Sequence, residues 1–232
     1  MQLLRKPLPV LTGKEKNIGF LYLIFQIFFL PVLLQLLGSA FSYAISETLI
    51  NFIYFSVNFV SVLMIFGKFL TKSALRCRRN PREILLSAAI GLLAYWLTTS
   101  LLSGLTHWLF PEFVNLNDSQ IVAVFGEYPG LMFLCTVVFA PVVEEVLHRG
   151  LIFGTLAQKR IVPAYILSAL LFAAIHVVQY IGLYSPGFMI LALIHYLPAG
   201  LVLAWAYHHS GSIFCPVLIH AAINAIAIYL TR

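Results

Sequence analysis

The sequence contains seven stretches of roughly twenty mainly apolar residues. A stretch of that length can cross a hydrocarbon core of about 30 Å as an α-helix, which satisfies its own backbone hydrogen bonds within lipid. The composition agrees, because 61% of the 232 residues are hydrophobic and the mean hydropathy is +0.96. We therefore predict an all-α integral membrane protein, a polytopic bundle of transmembrane helices. The predicted segments are residues 18–37, 47–70, 84–110, 130–156, 162–181, 187–207 and 213–230, and a break in the third or the fourth would make eight.

The cationic residues predict the orientation of these segments. Short loops rich in Lys and Arg stay in the cytoplasm, and most of the 14 cations fall on one side if all seven segments cross. The N-terminus is therefore predicted in the cytoplasm, with a basic loop at residues 71–82 and an external loop at 111–128. The cations on the cytoplasmic side are Arg5, Lys6, Lys14, Lys16, Lys68, Lys72, Arg76, Arg78, Arg79, Arg82, Lys159 and Arg160, and the acidic residues on the opposite side are Glu47, Glu112, Asp118 and Glu127.

The net charge of +6 is accounted for by this topology signal and by attraction to anionic lipid, so it indicates no nucleic-acid partner. The predicted partner is membrane lipid, and the predicted location is a cell membrane. A cleaved signal peptide ending near residues 38–40 is the alternative for the first segment, but its apolar stretch is longer than the usual signal core. We expect a retained helix and one integrated bundle, in which residues 1–128 precede a C-terminal membrane region at 129–232.

Four polar residues interrupt the fourth apolar segment in the stretch APVVEEVLHRG. An ionisable side chain is costly in hydrocarbon, so it normally faces the interior of the bundle and has a partner or a function. On a helix Glu145 and Arg149 share one face, while Glu144 is rotated by about 100° from Glu145. We predict that Arg149 neutralises Glu145. Glu144 is left as the candidate general base, because two adjacent carboxylates in a low dielectric do not both ionise freely.

Two later segments carry polar residues at the same helical spacing. The fifth contains FAAIH, from Phe172 to His176, and the seventh contains HAAIN, from His220 to Asn224. Residues four apart share a face of a helix. A carboxylate, two imidazoles and a carboxamide from three helices can hold one water, with the carboxylate taking its proton and the others stabilising an oxyanion. This set is typical of a hydrolase.

Each of these residues taken alone has a structural interpretation. Glu145 with Arg149 is then best explained as a structural ion pair, and a single membrane histidine such as His195 usually hydrogen-bonds within the bundle. His148 lies one turn after Glu144, where it either tunes that carboxylate or bonds a neighbouring helix. The hydrolase interpretation therefore depends on the three-helix set as a whole.

The three motifs, in this order, resemble those of the CPBP family of intramembrane proteases. That family includes relatives of the type II CAAX prenyl endopeptidase and bacteriocin-immunity proteins. EEVLHR fits its EExxxR motif, FAAIH its FxxxH motif and HAAIN its HxxxN motif, and the resemblance covers about residues 131–229. It implies hydrolysis of a peptide bond in a chamber within the membrane.

The resemblance also implies a role for each motif residue. Glu144 acts as general base on a water, with the help of His176, His220 and Asn224. The implied supporting residues are Glu145, Arg149 and Phe172.

Glu144, His176 and His220 are also a possible ligand set for a catalytic zinc ion, with the fourth position left for water. The HExxH motif is absent from the sequence. The resemblance permits both a zinc mechanism and a glutamate mechanism without a metal. We favour the glutamate mechanism and predict no metal cofactor.

The depths of the three residues in the membrane do not agree if the helices are straight. At about 1.5 Å per residue, His176 lies roughly 20 Å from the cytoplasmic edge and His220 roughly 10 Å from it. We therefore expect a helix to break near Pro141, Gly150 or Pro163.

Two other functions remain open at this point. The polar cluster would only hold helices together in a non-catalytic membrane immunity or binding protein that engages a peptide toxin. A proton-coupled transporter would use Glu144 and the histidines as a relay, although the sequence has no visible inverted repeat. For an endopeptidase, the expected substrate is a membrane-associated peptide or protein, either prenylated or of the leader or bacteriocin type.

Overall fold

The computed structural model describes residues 8–40, 46–113 and 128–230, and most of these residues are helical. Each of the seven predicted apolar segments coincides with a helix, which confirms the predicted all-α class. The helices of the described residues are α1 (Gly13–Ala40), α2 (Glu47–Ile65), α3 (Gly67–Arg79), α4 (Pro81–Leu109), α5 (Pro129–Ala157), α6 (Ile161–Val177), α7 (Pro186–Ser210) and α8 (Phe214–Leu230).

Six helices of the described residues are long and apolar enough to cross a membrane, namely α1, α2, α4, α5, α6 and α7. Helix α8 is apolar but shorter, with 17 residues. The third and fourth predicted segments, α4 and α5, each run without a break, so the alternative of eight segments finds no support in the described part of the chain. The cytoplasmic N-terminus stays a prediction.

Several predictions fall on residues that the structure does not describe. The predicted external loop at 111–128 is described only at residues 111–113 and 128. Outside the described residues lie Arg5, Lys6, Asp118, Glu127 and Arg232.

The basic segment 71–82 was expected as a loop, and this expectation is wrong for most of its length. Residues up to Arg79 belong to helix α3, which begins at Gly67. The carboxylate of Glu15 on α1 accepts the backbone N–H of Phe69 at 2.7 Å, and so satisfies one of the N-terminal donors that α3 leaves without a helical partner. Phe69 and the positions one turn apart from it face the core while the lysines face outward, so the segment is an amphipathic helix.

Helices α6 and α7 pack very closely, because a glycine lies at their contact. A Cβ built on Gly200 of α7 would lie 2.9 Å from the Cα of Ala169 on α6. Helix α7 also packs against α4 and α8, so it lies at the centre of the C-terminal helices. The close approach brings the backbone of α7 within reach of side chains from α5.

Helix α5 is the most enclosed of the long helices. Half of its most apolar stretch is buried, 50% against 22% in α1 and 17% in α2 and α4. It is irregular, with π-helical turns at Leu134–Phe139 and Val146–Phe153, and all eight residues of the second π segment are buried. Such π turns are frequent at functional sites.

Helix α8 begins inside the protein rather than at its edge. Ser212 and Ile213, just before the helix, are fully buried. The hydroxyl of Ser212 donates to the carbonyl of Ser73 on α3 at 3.0 Å. His220 therefore lies deeper than a count from an exposed helix start would place it, which removes much of the disagreement in depth.

No helix breaks at the three positions where a break was expected. Pro163 lies in the first turn of α6, where proline is tolerated because that N–H has no intrahelical partner. Pro141 and Gly150 lie within the continuous α5, and Gly150 belongs to its second π segment. The motif residues come together without a break, with Glu144 3.7 Å from His176 and Glu145 2.9 Å from His220.

Candidate active site

The centre of the site is the predicted ion pair of α5. Arg149 Nη1 lies 2.9 Å from Glu145 Oε1, and both side chains are 0% exposed. A buried charge needs a partner and further hydrogen bonds to be tolerated. The pair is therefore a fixed, locally neutral element of the core.

Arg149 also connects α5 to α6 and α7. Its Nη2 donates to the carbonyl of Gly200 on α7 at 3.0 Å. Its guanidinium carbon lies 4.3 Å from the centre of the Phe172 ring on α6, a cation–π contact. Phe172 thus supports the site through its ring, which also lies edge-on to His220 at 5.6 Å between ring centres.

Glu145 has a second partner that the motif spacing did not reveal. His220 Nδ1 on α8 lies 2.9 Å from Glu145 Oε1, the same oxygen that Arg149 contacts. A carboxylate paired with an arginine only accepts hydrogen bonds, so Nδ1 of His220 donates to it. The contact fixes the orientation of the His220 ring and directs Nε2 away from Glu145.

Glu144 faces a different partner, as its rotation on the helix predicts. Its Oε2 lies 3.7 Å from Nε2 of His176 on α6, and the side chains of Glu144 and His176 are 22% and 16% exposed. That distance is too long for a direct hydrogen bond. Among the described residues, Glu144 Oε2 is buried and has no hydrogen-bond partner.

The tautomer of His176 follows from its other nitrogen. Nδ1 lies 2.8 Å from the carbonyl of Phe172, which can only accept, so Nδ1 carries the proton. In the neutral ring Nε2 is then an acceptor, and it faces the carboxylate of Glu144. The ring is also held by stacking on Tyr196 of α7, with ring centres 4.6 Å apart. Two acceptors facing each other at 3.7 Å suit one water that donates a hydrogen bond to each.

Asn224 is fixed by a gap in the hydrogen bonds of α5. The N–H of Ala140 bonds to Cys135, and Pro141 has no N–H, so the carbonyl of Thr136 has no donor from its own helix. Asn224 Nδ2 donates to that carbonyl at 2.8 Å. The amide keeps a second N–H that this bond does not use.

The two histidines of uncertain role both bond within their own helices. His148 Nδ1 lies 2.8 Å from the backbone carbonyl of Glu144, so it contacts neither the carboxylate nor a neighbouring helix through that nitrogen. His195 Nδ1 lies 2.9 Å from the carbonyl of Leu191, and its ring stacks on Phe113 at 4.6 Å. His148 is buried, whereas His195 lines the cavity described next.

A cavity of about 540 Å³ lies beside the site. His176, His220 and Asn224 line it together, and α4 and α7 supply most of the remaining wall. The motifs gave no indication of Tyr196 or Gly200, because neither stands at a motif position. The α4 wall did have a readable signal, since hydroxyl side chains recur there at helical spacing within an apolar segment.

The residues proposed for zinc do not form a ready metal site. Within residues 8–40, 46–113 and 128–230, no group of three His, Cys, Asp or Glu side chains is arranged to hold a metal ion. One nitrogen of His220 is already taken by Glu145, and one nitrogen of His176 by a backbone carbonyl. The remaining nitrogens have the right chemistry for zinc, but their arrangement does not form a three-ligand group with Glu144.

Comparison with known proteins relates this arrangement to a family. Residues 126–226 match the family model of the Rce1-like type II CAAX prenyl endopeptidases. The segment that holds the site is thus similar to that family. The Rce1-like segment contains helices α5 to α7, most of α8 and all three motifs. With its six long apolar helices, the chain is an integral membrane protein.

A curated relative is the UPF0177 protein YxdF of Lactococcus lactis subsp. lactis (strain IL1403), to which the chain is 26% identical over 112 residues. The match covers 47% of this chain and 55% of that protein, so the chain spans about half the length of the relative. No solved structure matches. The Rce1-like likeness is thus confined to the half of the chain that holds the site.

Proposed function

We propose that this chain is an integral membrane endopeptidase, which hydrolyses a peptide bond of a membrane-associated or lipidated peptide or protein. The observation that supports it most is the facing pair of acceptors, Glu144 Oε2 and His176 Nε2, at 3.7 Å. A buried carboxylate oxygen without a partner is costly unless it binds something that donates. The match of residues 126–226 to the Rce1-like family supports the same reaction.

In the proposed mechanism Glu144 is the general base. It takes one proton from the water that it holds with His176, and the hydroxide attacks the carbonyl carbon of the substrate. Glu144 then gives that proton to the leaving amine when the carbon–nitrogen bond breaks. The water supplies the oxygen and one hydrogen to the new carboxyl group and the other hydrogen to the amine.

Asn224 and the doubly protonated form of His220 stabilise the oxyanion of the tetrahedral intermediate, because only that form of the ring has a proton on Nε2 while Nδ1 donates to Glu145. Both line the cavity with His176, and both are fixed before the substrate arrives, by Glu145 and by the Thr136 carbonyl. Donors that are held in place need no rearrangement during the reaction, which is how such groups contribute most. Glu145, Arg149 and Phe172 therefore act through the residues that they orient.

The substrate is proposed to reach the cavity from the lipid side. Trp96 and Leu230 line the cavity and are 49% and 70% exposed, so the cavity reaches the outer surface of the bundle. A prenylated C-terminus and a leader or bacteriocin-type peptide both remain candidate substrates, and we assign the protein to a bacterial cell membrane.

The experiment is cleavage of a fluorogenic peptide by the full chain in lipid nanodiscs. Glu144→Gln keeps the shape of the side chain but cannot take a proton, so cleavage should fall below detection. Glu112→Gln is the matched control, since Glu112 is an exposed carboxylate outside the site, and it should cleave as the unchanged chain does. Equal cleavage by the Glu144→Gln variant would refute the proposal. A folded chain that cleaves no peptide would favour the non-catalytic immunity or binding protein.

Chelation separates the glutamate mechanism from the zinc mechanism. We expect full activity after exhaustive dialysis against a chelator, and no stoichiometric metal by elemental analysis. Loss of activity that only added Zn²⁺ restores would show instead that Glu144, His176 and His220 act as metal ligands.

A further inference from the structure

Helix α4 presents a row of hydroxyl groups to the cavity. The row consists of Tyr95, Thr99, Ser103 and Thr106, which all line the cavity and are spaced by four, four and three residues. On a helix these positions lie on one face. Helix α4 lies outside the residues that match the Rce1-like family, so the motifs assign nothing to this row.

Threonine hydroxyls in membrane helices often bond to a backbone carbonyl of their own helix, and the hydroxyl row includes one that does not. Thr98 faces outward, and its hydroxyl bonds to the carbonyls of Ala94 and Tyr95 at 2.7 and 3.0 Å. Its neighbour Thr99 faces the cavity, and Thr99 Oγ1 is buried without a hydrogen-bond partner among the described residues. The hydroxyl of Thr99 is thus available to a molecule in the cavity.

The spacing of the row fits an extended peptide. Hydroxyls four residues apart on a helix are separated by about 6 Å along its axis. In an extended chain, backbone groups on the same side recur every two residues, or about 6.6–6.8 Å. From Tyr95 to Thr106 the row is about 16 Å long, which corresponds to roughly five extended residues.

One end of the row lies near the proposed catalytic residues. A Cβ on Gly91, one turn before Tyr95, would contact Ile219, the residue before His220. The row therefore leads away from His220 toward the C-terminal ends of α4 and α8.

We propose that the hydroxyl row binds the backbone of an extended substrate segment of about five residues. The inference rests on the proposed function and specifies how the substrate is held. A hydroxyl both donates and accepts, so it can pair with a backbone N–H or a carbonyl whatever the side chains are. A peptide that unfolds within a membrane needs such partners, because unpaired backbone groups are costly there. At the hydroxyl row the protein thus recognises the backbone of the substrate rather than its sequence or a lipid group.

The test uses valine variants, which keep the shape of threonine and remove the hydroxyl. Thr99→Val and Thr106→Val are compared with Thr98→Val, the matched control on the outer face, in the full chain in nanodiscs. The probes are two unrelated fluorogenic decapeptides, one rich in Ala and Leu and one rich in Ser and Gly. Each cavity variant should raise KM about fivefold for both probes and leave kcat within twofold, as expected for one lost hydrogen bond. Thr99→Ser should restore KM.

Binding to the Glu144→Gln variant separates this inference from the proposed function. The dissociation constants of the same decapeptides are measured on Glu144→Gln with and without each valine substitution. A fivefold weakening by Thr99→Val but not by Thr98→Val supports the hydroxyl row even if no peptide is cleaved. Equal affinities for the Thr98→Val and Thr99→Val variants, or no binding of either probe, would overturn it.

Discussion

The N-terminal helices α1, α2 and α4 and the C-terminal helices α5, α6 and α7 are equally apolar but differently buried. Their mean hydropathies overlap, at 1.8–2.3 in the first group and 1.9–2.3 in the second. The buried share of their apolar stretches is 17–22% in the first group and 28–50% in the second. Hydropathy therefore does not distinguish a helix that mostly faces lipid from one that is enclosed by other helices, and only packing separates the two kinds.

Two carboxylates, the buried Glu15 and the half-buried Glu144, differ in the same way. Glu15 in α1 is 4% exposed, and both of its oxygens have donors, from Phe69 N–H at 2.7 Å and from the N–H and hydroxyl of Thr12 at 2.8 Å. Glu144 in α5 has a buried oxygen without a partner among the described residues. The satisfied carboxylate holds helices together. Within the described part of the chain Glu145 also has an unpaired oxygen, but Glu144 is the candidate for chemistry because its own unpaired oxygen faces His176 instead of an arginine.

The largest expected difference is in how much the loss of an arginine lowers the free energy of unfolding. Arg149→Met should lower the free energy of unfolding by about 3–5 kcal/mol, because it leaves the buried Glu145 without its cation. Arg79→Met, at an exposed position of α3, should change it by less than about 0.5 kcal/mol. Unfolding in mixed micelles by titration with a denaturing detergent measures both. Similar losses for the two variants would contradict the division into enclosed and lipid-facing regions.

Two glycines test the close packing of the C-terminal helices. Gly200→Ala should cost about 1–3 kcal/mol, because its Cβ would meet the backbone of Ala169 at 2.9 Å. Gly104→Ala in α4 has no heavy atom within 4 Å of its new Cβ, so stability should be unchanged or raised by up to about 1 kcal/mol. The same unfolding titration measures the stability of both variants. A Gly200→Ala variant as stable as the unchanged chain would mean that α6 and α7 can move apart freely.

The two carboxylates should separate stability from activity. Glu15→Gln should lower the free energy of unfolding by about 1.5 kcal/mol, since a charged acceptor of three hydrogen bonds is lost. Its turnover of a cleavable peptide should stay within twofold of that of the unchanged chain. Loss of turnover in a folded Glu15→Gln variant would show that α1 takes part in the site.

The smallest expected effect is a coupling between α5 and α8. Asn224→Ala leaves the Thr136 carbonyl without a donor, whereas Pro141→Ala supplies a backbone N–H at the position where the helix lacks one. Asn224→Ala should therefore cost about 1 kcal/mol less in the Pro141→Ala chain than in the unchanged chain. A double-mutant cycle of unfolding free energies measures this coupling, and strictly additive costs would argue against it.

Much of the fold was predictable, because a long apolar segment in lipid satisfies its backbone hydrogen bonds by forming an α-helix. The helical course of the basic segment 71–82 was not, since the N-terminal cap of α3 comes from Glu15, far away in the chain. In the site, helical spacing predicted the contact of Glu145 with Arg149 and the separate direction of Glu144. The contact of Glu145 with His220 joins residues 75 positions apart, which no local spacing encodes. The depth argument failed because it assumed straight helices that begin at the membrane surface.

The proline of α5 has an effect on a helix 83 residues further along the chain. Because Pro141 in the stretch APVVEE has no backbone N–H, the carbonyl of Thr136 can accept a hydrogen bond from Asn224 of HAAIN. The two stretches thus depend on each other, because one helix leaves a carbonyl without a donor and the other helix supplies that donor. A protein engineer who transfers the glutamates of this site to another bundle would need to transfer the proline with them.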